Sequence, residues 1–196
     1  MGDRPKVIAF EGADRVGKAT QARLLQKSLR KRSQRVYTQE IPYADGVTHP
    51  QIYEMLAEGT ASKFPVVFQT LHAINRRLFE QEWLSDDDSL HFFILDRWTL
   101  STRVYGEATG VSKEMTDHIL KGLMEPDLTF ILDGDPFKKA DLDTWEKNAD
   151  LQLKVRDLYR RHAQDASKDY ILIDANQDIE TVHDEIKNLV FQWFKL

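Results

Sequence analysis

Two features of the sequence predict an α/β fold with a five-stranded, mainly parallel sheet. Short apolar runs alternate with longer segments of helical periodicity along the whole chain. That alternation builds βαβ units and a sheet covered by helices on both faces. The apolar runs are also nearly unbroken, as strands buried on both sides require.

The elements follow in order. Val7-Ile8-Ala9-Phe10 reads as the first strand, and a glycine-containing loop follows it. Thr20 to Lys31 reads as a helix, with Ala22, Leu24, Leu25 and Leu29 forming its apolar stripe. Arg35 to Ile41 is a second strand, and Pro42 to Thr48 a loop with the turn signal Asp45-Gly46. Helices are expected over Gln51 to Glu58 and Pro65 to Trp83, with Pro65 in a first helical turn. Asp86-Asp87-Asp88 reads as a solvated connection to a third strand, His91 to Asp96. Helical material runs from about Thr99 to Met124, and Asp127 to Asp133 is a fourth strand. Asp150 to Gln164 is a helix, Tyr170 to Ile173 a fifth strand, and Asp178 to Phe194 a closing amphipathic helix.

No internal repeat, low-complexity tract or linker interrupts the 196 residues, so one domain over 1–196 is the economical reading. With 41% hydrophobic and 30% charged residues, the chain can bury a large core and keep a polar surface. A net charge of −5 argues against a nucleic-acid partner, which favours basic chains. The basic run Arg30-Lys31-Arg32 with Arg35 suits the solvated end of a helix. The absence of cysteine removes disulfides, thiolate metal sites and thiol nucleophiles together. No apolar run is long enough to span a bilayer, and the start lacks the apolar core of a signal peptide, so a cytoplasmic enzyme without membrane partners is expected.

The chemistry concentrates after the first strand. Gly12-Ala13-Asp14-Arg15-Val16-Gly17-Lys18-Ala19-Thr20 matches G-x-x-x-x-G-K, the phosphate loop of the P-loop NTPase fold. Glycines let the backbone curl so that successive N–H groups surround phosphate oxygens. The next helix adds the positive end of its dipole. Lys18 places a cation near the β- and γ-phosphates. Ala19 stands where the motif has the hydroxyl that binds Mg²⁺. Either the metal is held by phosphates, water and a carboxylate, or Thr20 substitutes, or nucleotide binding persists while catalysis is weak.

Longer motifs then carry a family resemblance. Phe10 to Gln21 resembles the phosphate loop of the thymidylate kinases, F-E-G-x-D-x-x-G-K-S/T-T-Q. Asp96-Arg97-Trp98 with Ser101 and Tyr105 resembles their D-R-aromatic segment. Leu71 to Arg76 resembles L-F-x-x-N-R, Pro126 to Asp133 resembles P-D-L-T-x-x-L-D, and Ile173 to Glu180 resembles the adenine-side turn that holds Asn176. The resemblance implies ATP-dependent phosphorylation of dTMP to dTDP with Mg²⁺, by a homodimer. It implies that Asp14 recognises the deoxyribose 3′-hydroxyl and helps organise the phosphates. Arg97 would clamp the acceptor phosphate, as a guanidinium fork suits. Asp96 would hold Mg²⁺ through water. Arg76 would bond the thymine edge, and Ser101, Tyr105, Trp145 and Gln152 would lie in or near the nucleoside pocket.

The lid of such enzymes is expected at about 136–149 and carries no arginine here. Arg15 within the phosphate loop is therefore the natural cation for the charge that builds during transfer, with Lys138 and Lys139 as candidate helpers. Three departures concern the acceptor. His72 stands where the family stacks a phenylalanine on thymine, and a histidine still stacks while adding a hydrogen-bonding edge. Gly106 follows Tyr105 where many bacterial members carry glutamine, and a glycine leaves room. The loop Ile41 to Asp45 lacks the arginine of F-P-x-R. These changes leave open a kinase for another or modified pyrimidine deoxynucleotide. Ala19, for its part, leaves open a nucleotide-binding protein of weak catalysis, while a third reading, a kinase acting on bases already in DNA, is disfavoured by the acidic chain.

Overall fold

The computed structural model describes residues 4–84, 90–137, 148–166 and 168–196. Its sheet has five strands in the order β2-β3-β1-β4-β5, and every pairing is parallel. The strands are β1 (Lys6–Gly12), β2 (Val36–Glu40), β3 (Phe92–Asp96), β4 (Leu128–Asp133) and β5 (Tyr170–Asp174). The helices are α1 (Lys18–Lys31), α2 (His49–Ala57), α3 (Pro65–Phe79), α4 (Thr99–Ala108), α5 (Lys113–Leu120), α6 (Ala149–His162) and α7 (Ile179–Trp193).

The apolar runs explain which strands lie inside. Ile8, Ala9, Phe10, Phe93, Ile94, Leu95, Phe130 and Ile131 are fully buried because β1, β3 and β4 carry helices on both faces. Two apolar clusters result, a larger and a smaller one. Phe10, Leu25, Ile94, Phe130 and Ile186 belong to one; Ala9, Phe79, Phe93, Leu95 and Trp98 belong to the other.

Strand order also fixes where a ligand fits. The chain moves from β1 to one side of the sheet and later returns to the other side for β4 and β5. That reversal opens a crevice beyond the carboxyl ends of the central strands. Glu11, Asp96 and Asp133 all lie at those ends.

Several boundaries depart from the sequence-based expectation. β1 runs on to Gly12 because Glu11 and Gly12 pair with Ile131 and Leu132 of β4. α1 begins at Lys18, two positions before the expected Thr20, since the phosphate loop feeds the helix directly. The helix expected from Pro65 to Trp83 is α3 followed by a π-helical turn, Glu80–Leu84. The stretch expected as helix from Thr99 to Met124 breaks into α4 and α5. Gly110 makes the break with φ +87°, and the Ser112 side chain caps the Met115 N–H to restart the helix. The connection at Asp86 to Asp88 lies outside the described residues.

The basic run does end α1. Arg30 bonds the Val36 carbonyl at 2.9 Å, and Arg32 lies 4.2 Å over the Phe191 ring. No described helix is long and apolar enough to cross a membrane.

Candidate active site at the carboxyl edge of the sheet

The loop between β1 and α1 takes its shape from backbone constraints. Gly12 has φ +139°, and a Cβ there would stand 2.4 Å from the Leu132 carbonyl oxygen. Gly17, with φ +94°, caps α1 in the left-handed region where only glycine is unstrained. Arg15 also has positive φ, 63°, unusual for a residue with a side chain. It exchanges two bonds with Phe137: the Phe137 N–H donates to the Arg15 carbonyl at 2.9 Å, and Arg15 Nη1 donates to the Phe137 carbonyl at 3.0 Å. Lys18 is buried and curls back, its Nζ donating to the Ala13 carbonyl at 2.7 Å. Burial, then the nearby Arg97, lowers its pKa to about 8 against the pull of Asp96, Asp14 and Glu11.

Asp14 and Arg97 form the centre of the site. Arg97 directly follows β3 with φ 70°, and its Nη2 makes an ion pair with Asp14 Oδ1. Its Nη1 donates to the Gly12 carbonyl at 3.1 Å, to Ser101 Oγ at 3.2 Å and to the Tyr159 hydroxyl at 3.3 Å. Asp14 Oδ2 receives the Tyr105 hydroxyl and Gln152 Nε2, each at 2.9 Å. Burial opposes ionisation of Asp14, but Arg97, Lys18 and these two bonds together hold its pKa below the ordinary value. Burial also opposes the charge on Arg97, and Tyr105 and Asp14 lead the groups that overcome it.

Two clefts share this pair. The first, about 380 Å³, is the mouth of the phosphate loop, lined by Arg15, Lys18, Ala19, Thr20, Asp96 and Phe137. The second, about 200 Å³, is lined by Gln69, His72, Arg76, Ser101 and Tyr105. Asp14, Arg97 and Glu40 line both. A group held in one cleft therefore faces a group held in the other across the Asp14–Arg97 pair.

The second cleft is polar at depth. Arg76 is 1% exposed, and its Nη1 donates to Thr102 Oγ1 at 2.9 Å. Burial above all lowers its pKa to about 10, which leaves it charged at neutral pH. His72 stands edge-on to Phe68, with centroids 4.7 Å apart, and its Nδ1 is buried without a partner among the described residues. Burial, then Arg76 and Arg97, pushes the His72 pKa well below 6.5, so the ring is neutral. The room expected at Gly106 is already filled. A Cβ there would stand 2.7 Å from Thr116 Cγ2, because α5 packs against α4. The arginine-free loop after β2 is tied down by Asn75, which accepts from the Tyr43 N–H at 2.6 Å and donates to the Tyr43 carbonyl at 3.0 Å.

Not every expected residue lines these clefts: Gln152 lines neither and reaches the site through its bond to Asp14, and Gly12, Ala13 and Val16 belong to the loop but line neither. Asn176 lines neither one; its Oδ1 accepts the Asp135 N–H at 2.9 Å and joins the turn after β5 to the segment after β4. Trp145 lies outside the described residues, as do Lys138 and Lys139 and most of the expected lid.

Sequence reasoning missed three residues. Glu11, fully buried, accepts from the Trp98 N–H at 2.7 Å, the Ser101 N–H at 3.1 Å, Ser101 Oγ at 2.6 Å and the Tyr159 hydroxyl at 2.9 Å. It thereby satisfies orphan donors at the start of α4. A charge closing an apolar strand was the available signal. Tyr159 and Gln69 gave none, since neither belongs to a motif and nothing local in its helix marks it for the site.

The donor set can be compared with the needs of Mg²⁺. Asp96 is 7% exposed and shares the phosphate-loop cleft with Thr20, while Ala19 has no oxygen to offer. No cluster of three or more acidic or histidine groups suited to a metal occurs among the described residues. One carboxylate beside a phosphate site fits Mg²⁺, which takes few protein ligands and completes its shell with phosphates and water.

A parallel sheet with β1 central, a glycine loop feeding a helix and an ion pair lining two adjoining clefts defines a P-loop phosphotransferase. The family model described as thymidylate kinase matches residues 10–186, and the chain belongs to that family. A thymidylate kinase of Caldanaerobacter subterraneus subsp. tengcongensis is 32% identical over 98% of both chains. A probable thymidylate kinase of Methanosphaera stadtmanae is 31% identical over 96% of this chain and 99% of its own. A thymidylate kinase structure from Candida albicans superposes with a TM-score of 0.80 at 24% identity, covering 96% of this chain and 92% of that one, and so shares the fold.

Proposed function

We propose that this chain transfers the γ-phosphoryl group of ATP to dTMP, giving dTDP and ADP. Family membership supports the reaction. The observation that carries the mechanism is the Asp14–Arg97 pair, which lines both clefts and so stands between donor and acceptor.

In this reading a phosphate oxygen of dTMP attacks the γ-phosphorus of ATP while the bond to the β,γ-bridging oxygen breaks and ADP leaves. Loop backbone N–H groups from Ala13 to Thr20 and the Lys18 ammonium hold the donor phosphates. Arg97, locked by Asp14, Ser101 and the Gly12 carbonyl, orients the acceptor phosphate. Arg15, at the mouth of the loop, stabilises charge on the transferring group. Tyr105 and Gln152 fix Asp14, which takes the sugar hydroxyl. Arg76 and His72 bind the base. Asp96, with Thr20, would hold Mg²⁺, which would neutralise negative charge on the donor phosphates.

The same reading includes a homodimer working in the cytoplasm on free nucleotides. Phe64, Val66, Val67 and Ile74 leave an exposed apolar face at α3, the kind of surface a partner copy covers. Sedimentation of V67E against the unaltered protein tests this; an unchanged mass would remove α3 as the interface.

A coupled ADP assay with dTMP, dUMP, dCMP and dGMP tests the reaction. ADP formation that depends on dTMP and Mg²⁺ is expected, and ATP consumption indifferent to every monophosphate would overturn it.

A further inference from the structure

The second cleft contains a polar group that none of the assigned roles uses. Gln69 is 2% exposed and lies on α3, one helical turn before His72. Its Nε2 is buried without a hydrogen-bond partner among the described residues. Folding an amide away from water without a partner is unfavourable. Gln69 nonetheless lines the acceptor cleft together with His72, Arg76 and Tyr105.

The wall beside it carries no side chain at position 106. Gly106 faces Gln69 from α4, and the point a Cβ would occupy there is 3.8 Å from Gln69 Cγ. Gln69 Cγ thus lies beside Gly106, where no side chain intervenes from that residue. Thr116 closes the space behind Gly106, so no side chain at 106 shares it. The neighbouring Arg76 has one nitrogen, Nη1, fixed on Thr102, while its Nε is buried and unpartnered among the described residues.

We infer that Gln69 is a specificity-determining residue of the acceptor cleft, where its amide pairs with the N–H and C=O of a 2,4-dioxopyrimidine edge. An amide carries one acceptor and a donor group, so it meets an adjacent N–H and C=O with two bonds. The same amide, turned over, also matches the amino edge of cytosine. Arg76 removes that ambiguity, because a guanidinium only donates and welcomes a carbonyl but not an amino group. A site built to pair with a substrate group discriminates strongly against an analogue that lacks it. The inference rests on the proposed dTMP reaction and assigns the base reading within it.

The test is calorimetric binding and steady-state kinetics on Gln69→Met and Gln69→Leu, with dTMP, dCMP and N3-methyl-dTMP. Both variants should fold, with Tm equal to or above that of the unaltered protein, because the amide nitrogen has no partner to lose. The dissociation constant for dTMP should rise about 10- to 100-fold, the cost of two hydrogen bonds in a closed site. The KM for ATP should not move. Preference for dTMP over N3-methyl-dTMP should collapse, since the variants no longer read the N–H. Unchanged dTMP affinity, an intact preference, or a marked loss of stability in both variants would each overturn the inference. Failure of the unaltered protein to phosphorylate any monophosphate would instead remove the proposed reaction, and calorimetry would still read the role of Gln69.

Discussion

Glu11 and Ser101 are joined twice: Glu11 Oε2 accepts the Ser101 hydroxyl at 2.6 Å and Oε1 accepts the Ser101 N–H at 3.1 Å. The first residue pairs with β4 at the head of the phosphate loop, and the second lies in the opening turn of α4. Since Ser101 Oγ also contacts Arg97 at 3.2 Å, the strand that opens the phosphate loop is tied to Arg97, the proposed clamp of the acceptor phosphate.

Glu11→Gln should therefore cost both stability and alignment. The carboxylate accepts from Trp98, Ser101 and Tyr159, and an amide nitrogen in its place would confront donors. A loss of about 2–4 kcal/mol in unfolding free energy is expected from stranded buried donors. Urea titration measures it, and a change under about 0.5 kcal/mol would show that the network tolerates the swap.

Asp14→Asn separates recognition from phosphate binding. The substitution preserves shape but removes the charge paired with Arg97. kcat/KM for dTMP should fall by about 100-fold or more, and the KM for ATP should change little. The variant should also show a flatter acid limb. Because the folded Asp14 pKa lies below its ordinary value, its contribution is complete above about pH 4 and is lost as pH falls through the folded pKa. Thermal midpoints from about pH 5 to pH 2 test this, the unaltered protein being expected to fall more steeply.

Lys18 predicts an alkaline limb. With a pKa of about 8 in the free protein, it begins to lose its charge where ATP needs it. kcat/KM for ATP should decline as pH rises through about 8, while kcat holds to higher pH because bound phosphates favour the charged form. The stability trend runs the other way. From about pH 8 to 10.5 the unfolded lysine binds more protons than the folded one, so this group adds stability as pH rises. A flat kcat/KM profile to about pH 9 would remove Lys18 as the titrating group.

Much of the fold was legible because the strands are buried on both faces. Val7 to Phe10 and Phe92 to Leu95 have no polar alternation, and only a covered parallel sheet accepts them. Residues tied to local backbone shape were legible too, such as Gly12 and Gly17, which mark the phosphate loop. What stayed hidden depends on contacts between distant elements. Nothing near Gly106 in sequence says that Thr116 fills the space beside it. Tyr159 reads as an ordinary helix residue until the packing of α6 brings its hydroxyl to Glu11. The split of α4 from α5 turned on Gly110, whose positive φ outweighed the helical propensity around it.

Arg15→Ala tests the cation within the loop. Arg15 lines the phosphate-loop cleft and bonds the Phe137 carbonyl at 3.0 Å, so it can turn toward a transferring group by exchanging that bond. kcat should fall by about 10³-fold or more, the range of a cation acting on the transition state, with ATP affinity largely kept. A rate within about threefold of the unaltered protein would assign the charge elsewhere.

Ala19→Ser asks whether the missing hydroxyl limits the metal. Ala19 is exposed at the mouth of the phosphate-loop cleft, so a hydroxyl there displaces no packed atom. Asp96 is the carboxylate already in that cleft, and a second oxygen from the protein adds a ligand without altering the first. The Mg²⁺ concentration for half-maximal rate should fall severalfold, with the KM for dTMP unchanged because the acceptor cleft does not include position 19. The comparison variant is Thr20→Val. If Thr20 supplies the oxygen in place of Ala19, Thr20→Val alone raises the Mg²⁺ requirement, and Ala19→Ser restores it in the double variant. A Mg²⁺ dependence that moves in neither variant would leave Asp96 as the protein's whole contribution to the metal.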